Sequence, residues 1–90
     1  MNKMLYIPVH DAGRRQVWSI PADKMRINLN IKRAKYAGGL FNIDYFYSTE
    51  EGARAYWDND YKTKCHYKLT AEEVIQAVKD AGGVVYGGDA

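Results

Sequence analysis

The chain has 90 residues, of which 47% are hydrophobic and 27% are charged, and its formal net charge is +2. This length and balance predict one globular domain over residues 1–90 and exclude a long disordered or low-complexity protein. The single cysteine excludes a disulfide framework and favours a reducing compartment, so we predict a cytoplasmic protein. No apolar run approaches the ~20 residues that a membrane span needs, and polar residues near the N-terminus argue against a signal peptide.

Charge is distributed unevenly along the sequence. Residues 1–47 contain eight Lys and Arg against three acids, whereas residues 48–90 contain five against eight. A basic first half and an acidic second half predict two faces with different partners. The alternative is that a strand-rich half uses its cations only for solubility.

Two short apolar segments come first in the chain. Met4–Val9 and Gln16–Ile20 predict the two strands of a hairpin, joined by a rather long loop that contains Gly13. Pro8 has no N–H to donate to a neighbouring strand. The first strand is therefore predicted to lie at a sheet edge or to end at Pro8.

The clearest pattern follows. Apolar and polar residues alternate strictly over residues 25–32, which predicts one long strand with a buried face and a solvent face. A turn at residues 37–39 is expected to lead into a return strand, Leu40–Tyr47. Phe46 is expected on the polar side of that strand, either covered by another element or exposed for a partner. The residues expected to face the core are Met25, Ile27, Leu29 and Ile31 on the first strand and Phe41, Ile43, Tyr45 and Tyr47 on the second.

Two capping boxes predict two helices. In each, a hydroxyl residue precedes a glutamate by three positions: Ser48 precedes Glu51, and Thr70 precedes Glu73. The second helix is expected to end at Gly82, a residue that readily adopts the left-handed conformation of a helix C-terminus.

The remaining patterns complete a predicted fold. Gly52 lies inside the first helix, where it costs up to about 1 kcal/mol relative to Ala but permits a close approach to the sheet. Short strands are expected at residues 65–69 and 84–86. The sequence therefore predicts an α+β fold, with an antiparallel sheet of about four strands and two helices packed on one face.

No pattern predicts catalysis or a metal centre. Cys65, His66 and the distant His10 are a poor match to the paired ligands of structural zinc. Neighbouring residues on a strand point to opposite faces, so Cys65 and His66 are not expected to form a nucleophile–base pair. The acidic run that begins at Asp58 lacks the Gly and Glu of a calcium-binding loop. We therefore predict no enzyme activity, no cofactor and no metal.

Two groups of residues are the candidate binding surfaces. Aromatic rings among cations stack on nucleic-acid bases or form hot spots in protein interfaces, although the rings of a small domain also serve simply to close its core. The first group, on the polar side of the long strand, is Arg26, Asn28, Asn30, Lys32, Arg33 and Lys35; the second, after the first helix, is Tyr61, Lys62, Lys64 and Tyr67.

The segment from Phe46 to Asp58, FYSTEEGARAYWD, resembles the junction between sheet and helix in AP2/ERF-type DNA-binding domains. In that family a three-stranded sheet ends in Phe and is followed by a Thr-Glu-Glu-rich cap and a helix rich in Ala. The residues that match in kind are Phe46, Thr49, Glu50, Glu51, Ala53, Arg54, Ala55 and Tyr56. One residue is added before the cap, and Gly52 replaces an Ala. The resemblance implies DNA contacts from the sheet, made here by Arg26, Lys32, Arg33 and Lys35.

Two classes of function follow from the sequence. The first is a small non-enzymatic protein that occludes a partner protein or ribonucleoprotein, as accessory proteins of phages and mobile elements do. Its concrete form is an inhibitor of a host defence complex, similar to the anti-CRISPR proteins and acting in the host cytoplasm. The second is a nucleic-acid-binding module that uses the cationic strand face. No membrane partner is expected.

Overall fold

A computed structural model describes residues 3–58 and 67–88 of the chain. The described strands are β1 (Met4–Asp11), β2 (Arg14–Pro21), β3 (Arg26–Asn28), β4 (Arg33–Tyr36), β5 (Gly39–Asn42) and β6 (Val84–Tyr86). The described helices are α1 (Glu50–Asp58) and α2 (Ala71–Ala81), and short 3-10 turns lie at Ala22–Lys24 and Ile43–Tyr45. The predicted α+β class is confirmed.

The strands form two sheets, and not the single antiparallel sheet that we predicted. β1 and β2 make a two-stranded hairpin, and the other strands make a four-stranded sheet in the order β5-β4-β3-β6. β3, β4 and β5 are antiparallel neighbours, but β6 pairs with β3 in parallel. Parallel neighbours need a long crossover connection, which here consists of β4, β5 and both helices.

The first hairpin is confirmed, with a shorter loop than predicted. β1 and β2 continue to Asp11 and Arg14, so only Ala12 and Gly13 form the turn. Both turn residues have positive φ, 49° and 82°. This conformation defines the two-residue turn whose twist matches that of the flanking strands.

The single strand predicted from the period-two pattern is wrong, because the chain turns back within it. β3 ends at Asn28, residues 29–32 form a turn, and β4 begins at Arg33. Asn28 Oδ1 accepts a hydrogen bond from the Asn30 amide at 3.0 Å, and Lys32 has a φ of 49°. Asn terminates the strand because its side chain reaches the backbone two residues on.

Burial along this segment follows the turn and not the alternation. Met25 and Ile27 are buried as predicted, and Leu29 is half-buried. Ile31, which we expected in the core, lies in the turn and is 56% exposed. A period-two pattern predicts burial only while the chain remains extended.

The return strand also ends earlier than predicted. β5 stops at Asn42, whose side-chain oxygen accepts from the Asp44 amide at 2.9 Å and begins a 3-10 turn. The turn shifts the inward positions by one residue. Tyr45, predicted to face the core, is therefore exposed, whereas Phe46, predicted on the polar side, is completely buried. Tyr47 is buried as predicted.

The two helices pack against different parts of the molecule, and not on one face of one sheet. α1 contacts β1 and β2, whereas α2 contacts β6 and the two 3-10 turns. One cluster of buried side chains joins the hairpin, the larger sheet and α2. Its members are Leu5, Ile7, Ile20, Ala22, Met25, Ile27, Ala34, Ile43, Phe46, Leu69, Val74, Ala77 and Val78.

The helix signals are confirmed for α2 and corrected for α1. Thr70 and Glu73 form the complete capping box, and Gly82 ends α2 with a φ of 91°. At α1, however, Thr49 is the capping residue: its Oγ1 accepts from the Gly52 amide at 3.0 Å. Ser48, which we expected in that role, donates instead to the Tyr67 carbonyl.

Two glycines allow close packing where a side chain would collide. A Cβ at Gly52 would lie 2.5 Å from Tyr67 Cβ, so the close approach is made to Tyr67 and not to the sheet as predicted. A Cβ at Gly83 would lie 2.5 Å from Val78 Cγ1 and 2.6 Å from the Ala22 carbonyl oxygen.

Of the strand predicted over residues 65–69, Lys68 forms one bridge with Tyr47, and residues 65 and 66 lie outside the described residues.

The turn at residues 29–32 gives the first prediction. Ile27→Ala should lower the free energy of unfolding by about 2–5 kcal/mol, because it opens a cavity in the core. Ile31→Ala removes the same atoms at an exposed position and should change it by less than about 0.5 kcal/mol. Urea denaturation measures both free energies of unfolding. Equal losses in the two variants would contradict the turn and support a single long strand.

Gly52 gives the second prediction. Gly52→Ala should destabilise the fold by roughly 1–3 kcal/mol, because overpacking against Tyr67 outweighs the gain of about 1 kcal/mol in helix propensity. Glu51→Ala, at the exposed neighbouring position, is the control and should be near neutral. A Gly52→Ala variant that melts at or above the wild-type temperature would contradict the close contact.

Candidate functional site

The outward side of the four-stranded sheet gathers three of the cationic residues that the sequence singled out. Buried Ile27 and Ala34 point inward, so the residues on either side of them point outward. The same parity applies on β5 and β6. We call these outward residues the basic face: Arg26, Asn28, Arg33, Lys35, Leu40, Asn42, Val84 and Tyr86.

Positive charge on the basic face is not neutralised within the described chain. Arg26 is directly opposite Lys35 on the neighbouring strand, and Asn28 is opposite Arg33. None of the eight residues of the basic face is an acid, and the one ion pair among described residues, Arg54 with Glu50, lies on α1. Like charges directly opposite each other destabilise a sheet. An anionic partner would relieve this repulsion.

The basic face also exposes apolar surface. Leu40 is 61% exposed, Val84 45% and Tyr86 44%. Tyr86 lies beside Arg26, whose guanidinium carbon is 5.9 Å from the centre of the ring. This cation–π contact orients the Arg side chain across the strand pair. A depression of about 370 Å³, lined in part by Lys24, Arg26, Lys35 and Tyr86, lies at this end of the sheet.

Three of the predicted binding residues shape the turn beside the basic face. The oxygen of Asn28 bonds to the Asn30 amide, and the oxygen of Asn30 accepts from the Gly88 amide at 2.6 Å. Lys32 is exposed, and its carbonyl accepts from the Ile43 amide. These residues fix the end of the β3–β4 pair and attach the segment after β6 to it.

Of the second predicted group, Tyr67 is the one member that the structure describes. Tyr61, Lys62 and Lys64 lie outside the described residues. Tyr67 is half-buried beside the start of α1, where its carbonyl accepts from both the amide and the hydroxyl of Ser48.

A second surface feature, which we call the aromatic groove, lies between β1 and β5 and was not predicted. It has a volume of about 450 Å³. Its lining is Ile7, Pro8, Val9 and His10 from β1; Arg33; Leu40, Phe41 and Asn42 from β5; Tyr45; and Tyr56 and Trp57 from α1. No sequence pattern indicates this groove, because its two strand edges are brought together only by the tertiary fold.

Ring contacts hold one wall of the groove in place. Trp57 Nε1 donates to the Gln16 carbonyl at 3.1 Å, and the Tyr56 and Trp57 rings meet edge to face with centres 5.0 Å apart. Tyr45 packs edge to face on Tyr56 at 6.1 Å. Arg15 lies over the Trp57 ring at 5.7 Å. The wall is therefore aromatic with a cation behind it.

Comparison with protein-family models, with curated proteins and with solved structures found no match. Across residues 3–58 and 67–88, no three His, Cys, Asp or Glu side chains are grouped so that they could hold a metal ion. In the same part of the chain, neither helix has the length and apolar character needed to cross a bilayer. The candidate site is thus defined by surface chemistry alone.

The pairing of Arg26 with Lys35 gives the third prediction. Lys35→Glu should raise the free energy of unfolding by about 0.2–1 kcal/mol, because a like-charge pair becomes an opposite-charge pair. The gain should shrink in 1 M salt, where screening is strong. Lys79→Glu makes the same charge change in the last turn of α2 and should give no gain. A loss of stability in Lys35→Glu would show that the two cations do not repel each other.

Proposed function

We propose that this protein is a non-enzymatic binding protein that docks its basic face on an acidic surface of a partner protein complex and blocks that surface. The observation that carries the proposal is the combination of three cations and three exposed apolar side chains with no acid among the eight outward residues. In its concrete form the protein is a phage- or mobile-element-encoded inhibitor of a host defence complex, similar in action to anti-CRISPR proteins, in the host cytoplasm.

The composition of the basic face supports a protein partner. Arg and Tyr are enriched among the residues that dominate binding energy in protein interfaces. Arg26 and Tyr86 are in contact near exposed Val84, and Leu40 extends the apolar surface on the other side. The cations lie on the central strands β3 and β4, and the exposed apolar side chains lie on β5 and β6 at either side. This arrangement suits a partner surface in which carboxylates lie between apolar patches. Charge complementarity of this kind speeds association and rejects basic partners.

A nucleic-acid partner is the second candidate, and one observation favours it. β3, β4 and β5 form a three-stranded antiparallel sheet whose outward side carries Arg26, Arg33 and Lys35. This is the surface that the resemblance to AP2/ERF domains implies for DNA contact. The exposed aliphatic Leu40 and Val84 favour the protein partner, because aliphatic side chains neither pair with phosphates nor stack on bases.

Charge reversal tests the basic face and is the fourth prediction. We expect Arg26→Glu with Lys35→Glu to abolish capture of the partner complex from lysate of the host, with a melting temperature close to wild type. The matched control is Arg54→Glu with Lys79→Glu, which changes net charge equally on the two helices. Equal capture by both double variants would place the binding surface elsewhere.

Salt dependence separates the two candidate partners. For a 20-base-pair DNA duplex or a single-stranded RNA, log affinity should fall linearly with log salt, with a slope near the number of phosphates contacted. The inhibitor proposal expects no duplex or RNA binding at physiological salt and retention of a protein partner. Strong, salt-sensitive binding of nucleic acid without any captured protein would contradict the inhibitor proposal and support the nucleic-acid-binding module.

A further inference from the structure

We propose that the aromatic groove binds an extended, acidic segment of the partner protein, which adds as a strand to the free edge of β5. The inference deepens the proposed function, on which it rests: the basic face meets the body of the partner, and the groove takes one of its strands or loops.

The backbone of β5 has hydrogen-bonding groups that point into the groove. The backbone N–H and C=O groups of Gly39 and Phe41 point toward β4. Gly39 closes a two-residue turn with Tyr36, and Phe41 is opposite Ala34, so both residues are at hydrogen-bonded positions of the pair. The Ile43 amide continues this side by donating to the Lys32 carbonyl. Backbone groups alternate in direction along a strand, so those of Leu40 and Asn42 face away from β4.

No described strand pairs with this edge of β5. Natural edge strands are commonly protected by a charged residue, a proline or a covering element. β5 reads Gly-Leu-Phe-Asn and has neither a charge nor a proline, and its Leu40 side chain is 61% exposed. An edge that the described strands leave unpaired in this way is the template that strand-adding peptides use.

The opposite wall of the groove is a second strand edge. The Tyr6 amide and carbonyl, on β1, both bond to Tyr47 at 3.0 and 2.7 Å and so point away from β2. By the same alternation, the backbone groups of His10 also point away from β2. His10 lies beyond the bridge that joins Tyr6 to Tyr47. Pro8, between them, contributes no donor. The groove therefore has backbone donors and acceptors on β5 and at His10 on β1.

The dimensions and walls of the groove suit an extended segment. A volume of about 450 Å³ falls within the range of specific binding sites. Tyr45, Tyr56 and Trp57 form an aromatic wall that an alternate side chain of the added strand would contact. Main-chain pairing would supply affinity along β5, and these rings would select the side chains.

Charge complementarity identifies the segment as acidic. Among the described residues, the lining includes Arg33 and His10 and no carboxylate. Asp44 and Asp58 line other depressions, Asp44 with Lys68 and Asp58 with Arg15 and Arg54. Arg33 belongs to both the groove and the basic face, so an acidic segment would continue the surface that the basic face recognises.

A backbone-blocking variant tests the inference. Leu40→Pro removes the amide that faces the groove but no hydrogen bond to β4, and proline is tolerated at such edge positions. Leu40→Thr is the matched control, because it also removes the apolar side chain but keeps the amide. Both variants should retain the wild-type amide spectrum of β3 and β4 by nuclear magnetic resonance.

The probe is a displayed library of random ten-residue peptides selected on the wild-type protein. We expect the enriched peptides to alternate Asp or Glu with β-branched or aromatic residues. Leu40→Pro should weaken their binding by roughly tenfold or more, the scale of one lost backbone hydrogen bond plus the steric block, whereas Leu40→Thr should retain it within about threefold. Independently of any variant, a bound peptide should slow hydrogen exchange at the Leu40 and Asn42 amides.

The contrary outcomes are distinct. Failure to enrich any acidic peptide, equal binding of the peptides by Leu40→Pro, or unchanged exchange at Leu40 and Asn42 would each overturn strand addition. Concentration-dependent dimerisation that Leu40→Pro abolishes would assign the edge to a second copy of the chain and would also overturn it. The proposed function fails separately, when Arg26→Glu with Lys35→Glu leaves partner capture intact.

Discussion

The parallel pairing of β6 with β3 is the contact on which both the core and the basic face depend. The Leu29 amide bonds to the Tyr86 carbonyl at 2.9 Å, and the Val84 amide to the Met25 carbonyl at 3.0 Å. This pairing covers the edge of β3 and draws α2 over the core. It also places Val84 and Tyr86 beside Arg26, which supplies the apolar part of the basic face. Without it, β3 would be an edge strand and the cations would have no apolar neighbours on that side.

Two consecutive glycines make this pairing possible. Gly82 ends α2 in the left-handed conformation, which most residues avoid because of their Cβ atom. Gly83 then passes between Val78 and the Ala22 carbonyl in a space that leaves no room for a Cβ. The chain thus changes from helix to strand within two residues, and it does so in direct contact with the 3-10 turn that precedes β3.

The parts of this fold that the sequence predicted are those determined by neighbouring residues. The first hairpin, the capping box at Thr70 and the helix end at Gly82 all rest on interactions within a few positions. The turn after Asn28 was missed because Asn suits both the solvent side of a strand and a tight turn. Whether the chain turns after Asn28 depends partly on the hydrogen bond from the distant Gly88 amide to the Asn30 side chain. The cations of the basic face were predictable as a polar strand face, whereas Leu40, Val84 and the aromatic groove required the tertiary arrangement.

The parallel pairing also has a consequence for how the molecule is made. Asn30 and Gly88 are 58 positions apart, so the contact beside β6 closes across most of the chain. Contacts between distant segments form slowly, because the intervening chain must first be ordered. During synthesis, β3, β4 and β5 emerge well before β6, and until then the edge of β3 is unpaired and the core is partly uncovered. The nascent chain is therefore prone to aggregate until β6 is added.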